Sequence, residues 1–310
     1  MAAMPTTGSA ESGRDGEAAS TVATLARYAD GGPTAIRILL GAQLRRLRES
    51  RRISRQHAAE VIRASQSKMS RLEAGRVGFK ERDIADLLTL YGVTEQAERD
   101  TLLSLARRAG AHGWWHDYTD VLPAWFEAYL GLEEAASQIR TFEMQFIPGL
   151  LQTEDYARAV TRLGRADAPD WETERRVRLR LARQAVLARE RPPHLWAVLD
   201  ESVLRRPVGG PRVMRGQLEH LAEMARRAGI TIQLIPFDAG GFQAAVGTFS
   251  ILRFAEPDLP DVVYLEQLTS ALYLDKRETV ESYLAVMDRL SHLALTPRES
   301  LAAIRAVLRP

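Results

Sequence analysis

The side chains with the clearest chemical potential lie in the run SQSKMSRLEAGR, residues 65–76. Met69 and Leu72 are three positions apart and define the apolar side of a helix, so the polar residues around them face outward. Glutamine pairs bidentately with adenine, arginine pairs with guanine, and lysine near a helix start suits guanine or phosphate. The outward side is therefore predicted to bind DNA through Gln66, Ser67, Lys68, Ser70 and Arg71.

Two short helices joined by a tight turn are needed to hold these side chains outward. Ser54 is predicted to cap a first helix whose apolar side carries Ala58, Ala59 and Ile62, and Ser65 to cap the second helix. Small alanines allow the two helix backbones to approach closely. The second helix then protrudes far enough to enter a major groove, so the stretch predicts a helix-turn-helix.

The run from Leu44 to Arg76 resembles the Xre (Cro-like phage repressor) helix-turn-helix family, on the residues Ile53-Ser54, Ser65, Met69-Ser70-Arg71-Leu72-Glu73 and Gly75-Arg76. The resemblance implies a five-helix, all-α DNA-binding domain over residues 34–110. It also implies an ion pair between Arg48 in the first helix and Glu73 at the end of the recognition helix.

Further positions carry expectations from this family or depart from its pattern. Arg55 stands where the family often has a phosphate-contacting glutamine, so Arg55 is expected to bind the DNA backbone, as is Arg76. Arg63 stands where glycine is common, which costs free energy if its φ is positive. Ala74 replaces a common asparagine, which removes one expected phosphate contact. The predicted DNA-binding set is Arg55, Ser65, Gln66, Ser67, Lys68, Ser70, Arg71 and Arg76.

Charge is distributed unevenly along the 310 residues, whose formal net charge is +2. Residues 36–82 contain 13 Lys and Arg against 4 Asp and Glu, so this segment carries +9 and the remainder −7. A basic module on an acidic body is expected when one domain meets phosphate and the other does not. The hydrophobic content of 45% and charged content of 26% fit a globular protein long enough for two domains.

Several functional classes receive no support from the residues. The chain has no cysteine, which excludes disulfides and Cys-based metal or redox motifs. His112 and His116 are four positions apart, but no third ligand is evident, so no metal is expected. No nucleophile elbow, P-loop or Rossmann glycine fingerprint is present, so we expect no enzyme activity and no cofactor. Without a signal peptide or an apolar run of membrane-spanning length, a cytoplasmic location is expected, with no membrane partner.

The chain is predicted to be a multidomain protein. Residues 1–33 are predicted to form a disordered tail, because they lack periodicity and are rich in small and polar residues. The last helix of the five-helix domain is expected to be capped by Thr94. Residues 111–137 concentrate aromatic side chains, which either dock one domain on the next or form a binding surface.

Residues 138–310 are predicted to form an α+β domain with a small mixed β-sheet covered by helices. HLWAVLD, the following helix and ITIQLIPF should form a right-handed parallel pair of strands. FSILRF, VVYLE and SALYLD, joined by short connections, should be antiparallel neighbours. A long helix over residues 170–191 is expected to expose its arginines as a solvated face, although a second DNA contact from it stays open.

The runs FEMQFIPGLLQTEDYARAV, LWAVLDESVLRRPVGGP and ITIQLIPFDAGGF resemble the C-terminal domain of uncharacterised function in actinobacterial, especially streptomycete, Xre regulators. Relatives of this kind, called antitoxin-like or WhiJ-like, tend to be encoded beside a small partner protein. The resemblance therefore implies a partner of this class.

The two resemblances predict a dimeric transcriptional regulator that binds a double-stranded DNA operator and whose C-terminal domain senses a partner protein or ligand. The alternative is an antitoxin-like module that sequesters a small neighbouring protein, with DNA binding as autoregulation. A third reading is an enzyme targeted by the helix-turn-helix. The loop DAGGFQAAVGT either turns the chain or recognises a partner or ligand through Asp238, Gly240, Gly241 and Phe242.

Overall fold

The computed structural model of the protein describes residues 33–111, 113–239, 247–255 and 259–308. The chain forms two compact units that divide between Gly113 and Trp114. The predicted disordered tail lies outside the described residues as far as residue 32. So do Gly240, Gly241 and Phe242 of the candidate loop, whereas Asp238 belongs to a short 3-10 helix. None of the helices in these described ranges has the length and hydrophobicity of a membrane-spanning segment.

The first unit is all-helical in its described residues, as the sequence predicts. Its five helices are α1 (Pro33–Ser50), α2 (Arg55–Val61), α3 (Gln66–Glu73), α4 (Glu81–Leu90) and α5 (Gln96–Ala109). Leu40, Leu44 and Leu88 are inaccessible to solvent in its core. The predicted cap at Thr94 is wrong, because Glu95 is the N-cap of α5 and makes no side-chain capping hydrogen bond. An acidic residue at this end instead suits the positive end of the helix dipole.

The second unit is an α+β domain, as predicted. It begins with a 3-10 helix (Trp114–Tyr118) and continues with α6 (Ala124–Ala135), β1 (Gln138–Glu143), α7 (Glu154–Gly164), α8 (Asp170–Arg183), β2 (His194–Asp200), α9 (Ser202–Arg205), α10 (Pro211–Met224), β3 (Ile230–Ile235), β4 (Phe249–Arg253), β5 (Val262–Glu266), β6 (Ala271–Leu274), α11 (Arg277–Leu293) and α12 (Pro297–Leu308).

The six strands form one mixed sheet in the order β3-β2-β1-β4-β5-β6. β2 and β3 are parallel and β4, β5 and β6 are antiparallel neighbours, as predicted. β1 lies between the two groups, parallel to β2 and antiparallel to β4. Thr141, Ser250 and Tyr264 are aligned in register across β1, β4 and β5. Because side chains alternate along a strand, these three residues share one face of the sheet.

The two faces of the sheet have different chemical characters. The opposite face is apolar and packs against α11, through the buried cluster Phe142, Val198, Ile235, Phe249, Ile251, Val263, Leu265, Val280, Met287 and Leu290. The first face is more polar, since Ser250 donates a hydrogen bond to Thr141 at 3.0 Å. α6 lies on this face, where the ring of Tyr129 is 4.2 Å from that of Tyr264.

The rings of the aromatic-rich segment pack within the second unit. Trp115 is buried with Leu130 and Leu179, and Phe126 stacks on Tyr129 at 5.2 Å. These contacts lie inside one unit, and the docking role proposed for residues 111–137 stays a prediction.

The predicted helix over residues 170–191 is shorter than expected, because α8 ends at Arg183 and a 3-10 helix, Gln184–Ala188, follows. The expected solvated arginine face is wrong for Arg183. Its guanidinium donates to both carboxylate oxygens of Glu133, at 3.0 and 2.8 Å, and lies 4.9 Å from the ring centre of Phe126. The acidic and aromatic residues of α6 supply the partners that allow this arginine to be buried.

Candidate nucleic-acid interface

α2 and α3 form the predicted helix-turn-helix, with both predicted caps in place. The Ser54 hydroxyl accepts a hydrogen bond from the backbone N–H of His57 at 3.1 Å, and the Ser65 hydroxyl accepts one from that of Lys68 at 3.1 Å. Each serine thereby satisfies a backbone donor that the first turn of a helix leaves unpaired. The two helix starts are consequently well defined.

The turn between the two helices has one strained residue. Arg63 has a φ of 52°, in the left-handed region, which costs a residue other than glycine about 1–2 kcal/mol. The positive φ on which the expected free-energy cost at Arg63 depends is therefore observed. The backbone N–H of Ala64 donates to the carbonyl of Ala59 at 2.9 Å, and Ile62 is buried beneath the turn. These contacts hold the strained conformation.

Two glycines set the distance between α1 and the end of α3. A Cβ on Gly41 would lie 2.7 Å from the carbonyl oxygens of Leu72 and Glu73. Gly75 has a φ of 66°, and a Cβ there would lie 2.6 Å from the Cα of Ile38. Only glycine permits this approach without a shift of the backbone. The sequence reading did not single out Gly41, although a glycine inside an apolar helix is a signal of close packing.

α3 divides into a buried and an exposed side, as its spacing predicts. Met69 and Leu72 are 0% and 1% exposed and anchor the helix in the core of its unit. The exposed residues are Gln66, Ser67, Ser70 and Arg71. The helix therefore presents amide, hydroxyl and guanidinium groups together on its outward side.

The remaining residues of the predicted DNA-binding set lie around this exposed side. The Ser65 hydroxyl is exposed and serves as the cap of α3. The Lys68 ammonium lies 3.9 Å from the Asp83 carboxylate of α4, which places this lysine at the flank of α3. Arg76 is exposed just beyond the end of α3. The structure thus groups these three residues with the outward side, and their contacts with DNA stay predictions.

Arg48 and Glu73, the residues expected to pair, are in direct contact. Arg48 Nε lies 2.5 Å from Glu73 Oε1 and Nη2 lies 3.1 Å from Oε2, and the two side chains are 7% and 3% exposed. Arg55 Nε reaches the same carboxylate, 3.2 Å from Oε2. Arg48 also donates to the carbonyl of Ile53 at 2.9 Å. One carboxylate at the end of α3 therefore connects α1, α2 and α3.

The surroundings of Arg48 and Tyr91 favour the protonated form of both groups. The hydrogen bonds that Arg48 donates to the Glu73 carboxylate raise the pKa of Arg48 above its usual value. Tyr91 lies against the pair, and burial raises the pKa of its hydroxyl well above the usual range. That hydroxyl has no hydrogen-bond partner in the part of the chain that the structure describes. Arg48 and Tyr91 consequently keep their protons throughout the physiological range.

Two family profiles match this chain. The family described as "Helix-turn-helix domain" matches residues 39–102. The family described as "Domain of unknown function (DUF5753)" matches residues 126–306, which is more than half of the chain. The protein belongs to the DUF5753 family. No curated protein and no solved structure matches the chain.

In this DUF5753 protein, the helix-turn-helix match contains α2, α3 and α4 in full, and the DUF5753 match contains the complete sheet. The expected combination of an N-terminal helix-turn-helix and an uncharacterised C-terminal domain is confirmed. The helix-turn-helix supports a DNA-binding regulator rather than an enzyme.

Proposed function

We propose that this DUF5753 protein is a sequence-specific transcriptional regulator that inserts α3 into the major groove of a double-stranded operator. The observation that carries the proposal is the division of α3, with Met69 and Leu72 buried and Gln66, Ser70 and Arg71 exposed. Amide and guanidinium groups on an exposed helix suit direct readout of adenine and guanine. The buried side holds the helix so that its base-reading groups are already oriented.

The charge distribution supports a phosphate-binding first unit. Residues 36–82 carry +9, so this segment attracts the DNA backbone, whereas the remainder carries −7. Arg76, at the end of α3, and Arg55, at the start of α2, are proposed as phosphate contacts. Because Arg55 also contacts Glu73, it would position the DNA backbone relative to α3.

The finer features of the proposal follow the resemblance to Xre (Cro-like) regulators of actinobacteria. We propose a cytoplasmic homodimer, since a single short helix reads few base pairs and a two-fold dimer reads two half-sites. The C-terminal domain would sense a ligand or a small partner protein. An acidic domain of this size supports a regulatory role better than a second DNA contact.

Arg71→Ala tests the base-reading role of α3. We expect an affinity roughly 5- to 150-fold lower for the operator, equivalent to about 1–3 kcal/mol, with little change for a scrambled duplex. Arg76→Ala should weaken binding to both duplexes equally, because phosphates carry no sequence information. Binding of the full chain would be measured by fluorescence anisotropy on an operator found by genome-wide footprinting.

Arg82→Ala provides a matched control, because Arg82 is an exposed arginine of α4 in the same unit. It should leave the ratio of operator to scrambled affinity unchanged. An equal loss on both duplexes for Arg71→Ala would show that Arg71 does not read a base. A full chain that footprints nowhere in the genome would overturn the proposed function.

A further inference from the structure

The carboxyl edge of the sheet holds charged residues that the DNA interface does not use. The chain places β2 and β3 on one side of β1 and then returns to place β4, β5 and β6 on the other side. In open α/β sheets, ligands bind outside the carboxyl ends of the strands at such a reversal. Glu143 is the last residue of β1, the strand at which the reversal occurs.

Glu266 ends β5, which runs in the same direction as β1 because both are antiparallel to β4. Thr141 on β1 and Tyr264 on β5 are both paired with Ser250 on β4. Glu143 follows Thr141 by two residues, and Glu266 follows Tyr264 by two residues. By strand alternation, Glu143 and Glu266 therefore lie on the same, polar face of the sheet. The carboxyl edge thus has one carboxylate on each side of β4.

The Glu143 carboxyl is half-buried and has no hydrogen bond or ion pair with any other described residue. Burial, aided by the nearby charge of Glu266, raises its pKa to about 8, while the charge of Arg180 acts in the opposite direction. At neutral pH this carboxyl is mostly protonated. The carboxyl keeps part of its surface accessible, and a half-buried carboxyl with a shifted pKa and no partner among the described residues marks a candidate binding position.

Arg180 reaches the same edge from α8. Its Nη1 donates to the neutral side chain of Gln152 at 2.8 Å, and no carboxylate of the described residues lies within 4.0 Å of it. Burial, with repulsion from Arg183, lowers its pKa to about 10. Arg183, one turn further along α8, differs because Glu133 neutralises it. Arg180 is therefore a cation without a contacting anion.

The side chains around Arg180 hold it in position. Gln152 donates to the carbonyl of Ile147 at 2.6 Å, and Gln184 donates to the carbonyl of Gln152 at 2.7 Å. The Tyr156 hydroxyl, on α7, accepts a hydrogen bond from the backbone N–H of Ile147 at 3.3 Å and lies near Glu143 and Arg180. These contacts fix the loop that carries Gln152, the hydrogen-bond partner of Arg180.

Glu143, Glu266 and Arg180 are close enough for their charges to affect one another, yet they form no contact pair. Opposite charges in a protein interior are stabilised by direct contact, so groups held apart leave a place for a polar ligand. Glu266 is exposed and accepts a hydrogen bond from the Tyr264 hydroxyl at 3.1 Å, which orients its carboxylate. The set contains one cation and two carboxyl groups.

We propose that Glu143, Arg180 and Glu266, named here the sheet-edge site, bind a small zwitterion of the α-amino acid class. The ligand carboxylate pairs with Arg180, whose planar guanidinium suits bidentate contact, and the ligand ammonium lies between the two glutamates. The ligand carboxylate compensates the positive charge of Arg180, and the ligand ammonium compensates the negative charge of the glutamates, so no buried charge is left unpaired. This inference rests on the proposed function in one respect, because it supplies the ligand that the C-terminal domain senses.

The test is calorimetric titration of the full chain, without DNA, with the standard L-amino acids one at a time. We expect at least one amino acid to bind. The corresponding acid without its amino group, and the corresponding amine without its carboxylate, should each bind at least about tenfold more weakly, because each lacks one ionic contact. An acid that binds as well as the amino acid would overturn the proposed role of the glutamates.

Variants assign the binding to the sheet-edge site. Arg180→Gln and Glu143→Gln should each lower the affinity at least about tenfold. Arg178→Gln is the matched control, since Arg178 is an exposed arginine of the same helix, and it should bind like the unmodified chain. If Arg180→Gln or Glu143→Gln does not fold, Glu266→Gln at the exposed side of the site replaces it and should weaken binding at least about threefold.

Proton release gives a readout that a purely structural role would not change. A ligand ammonium beside Glu143 favours the charged carboxylate, so binding at pH 7 should release close to one proton. The release is measured from the dependence of the binding enthalpy on the ionisation enthalpy of the buffer, and Glu143→Gln should abolish it. Binding without proton release would overturn the placement of the ammonium.

The outcomes separate this inference from the proposed function. If no amino acid binds, or if folded Arg180→Gln and Glu143→Gln bind like the unmodified chain, the sheet-edge site is wrong, and operator binding can still hold. If an amino acid binds but operator affinity is unchanged, the site stands and the sensing role of the domain is wrong. Operator affinity would be measured on the same preparation with and without that amino acid.

Discussion

Glu73 of the helix-turn-helix and Glu143 of the sheet edge each lie near positive charge, yet of the two only Glu73 is paired. The Glu73 side chain is 3% exposed, and its oxygens contact Arg48 and Arg55 at distances of 2.5 to 3.2 Å. Glu143 keeps part of its surface accessible and has no hydrogen bond or ion pair among the described residues. Arg180, whose charge acts on Glu143, donates to Gln152 instead.

The difference shows that a carboxylate can either hold structural elements together or stay available to bind a ligand. A carboxylate whose acceptor sites are filled by the protein fixes the relative positions of the elements that carry the donors. Glu73 does this for α1, α2 and α3. A carboxylate with unused acceptor sites destabilises the domain that holds it, and a ligand can recover that free energy. Glu143 has this second character.

The largest effect is expected from Glu73→Gln. It removes the buried anion of Arg48 and leaves only the exposed Glu49 carboxylate, 3.2 Å from Arg48 Nη2, which should lower the free energy of unfolding of the helix-turn-helix unit by about 3–5 kcal/mol. Urea unfolding followed by circular dichroism measures the change. Glu49→Gln is the control, because the Glu49 side chain is 50% exposed, and its loss should be under about 1 kcal/mol.

A further Arg48→Met substitution in the Glu73→Gln chain should add much less than it costs alone, since the pair is already broken. If Glu73→Gln is no more harmful than Glu49→Gln, Glu73 has no architectural role, and the comparison with Glu143 fails.

An intermediate effect is expected from pH at Glu143. Its folded pKa of about 8 lies above the ordinary value of a glutamate, so between these pH values the folded state holds a proton that the unfolded state has lost. The stability of the second unit should therefore fall as pH rises from about 4.5 to 8, and the loss attributable to Glu143 should be about 2 kcal/mol, because the side chain is only half-buried.

Glu143→Gln should abolish this part of the pH dependence, measured as the thermal unfolding temperature of the full chain across that range. The exposed Glu219 of α10 provides the control, and Glu219→Gln should leave the slope unchanged. A Glu143→Gln chain with an unaltered slope would mean that Glu143 is already compensated in the folded state.

The smallest effect is expected from Arg55→Ala. The Arg55 side chain is 34% exposed, and Glu73 keeps both contacts with Arg48 when Arg55 is removed. The expected loss of stability is under about 1 kcal/mol, in the range of surface ion pairs. Arg48→Ala, measured in the same unfolding experiment, should cost several times more. Equal losses would show that Glu73 needs both arginines, and the architectural unit would then be a triad.

The sequence predicted the features that depend on neighbouring residues. The caps Ser54 and Ser65 and the buried side of α3 follow from spacing within one or two turns, so local chemistry was sufficient. In the second unit, strand patterns and short connections predicted the parallel pair β2 and β3 and the antiparallel neighbours β4, β5 and β6, but not the place of β1 between them. The strained φ of Arg63 was anticipated only as a condition, because turn geometry depends on how the two flanking helices pack.

Tertiary structure alone decided the features that join distant parts of the chain. Glu133 and Arg183 are 50 positions apart, so the sequence read the α8 arginines as solvated, whereas α6 supplies the partners that bury one of them. The approach of Gly41 to the carbonyls of Leu72 and Glu73 likewise needs the packed helices. The isolation of Glu143 has the same origin. Whether a buried charge is paired depends on which side chains the fold brings within hydrogen-bonding distance, and residue spacing carries no such information.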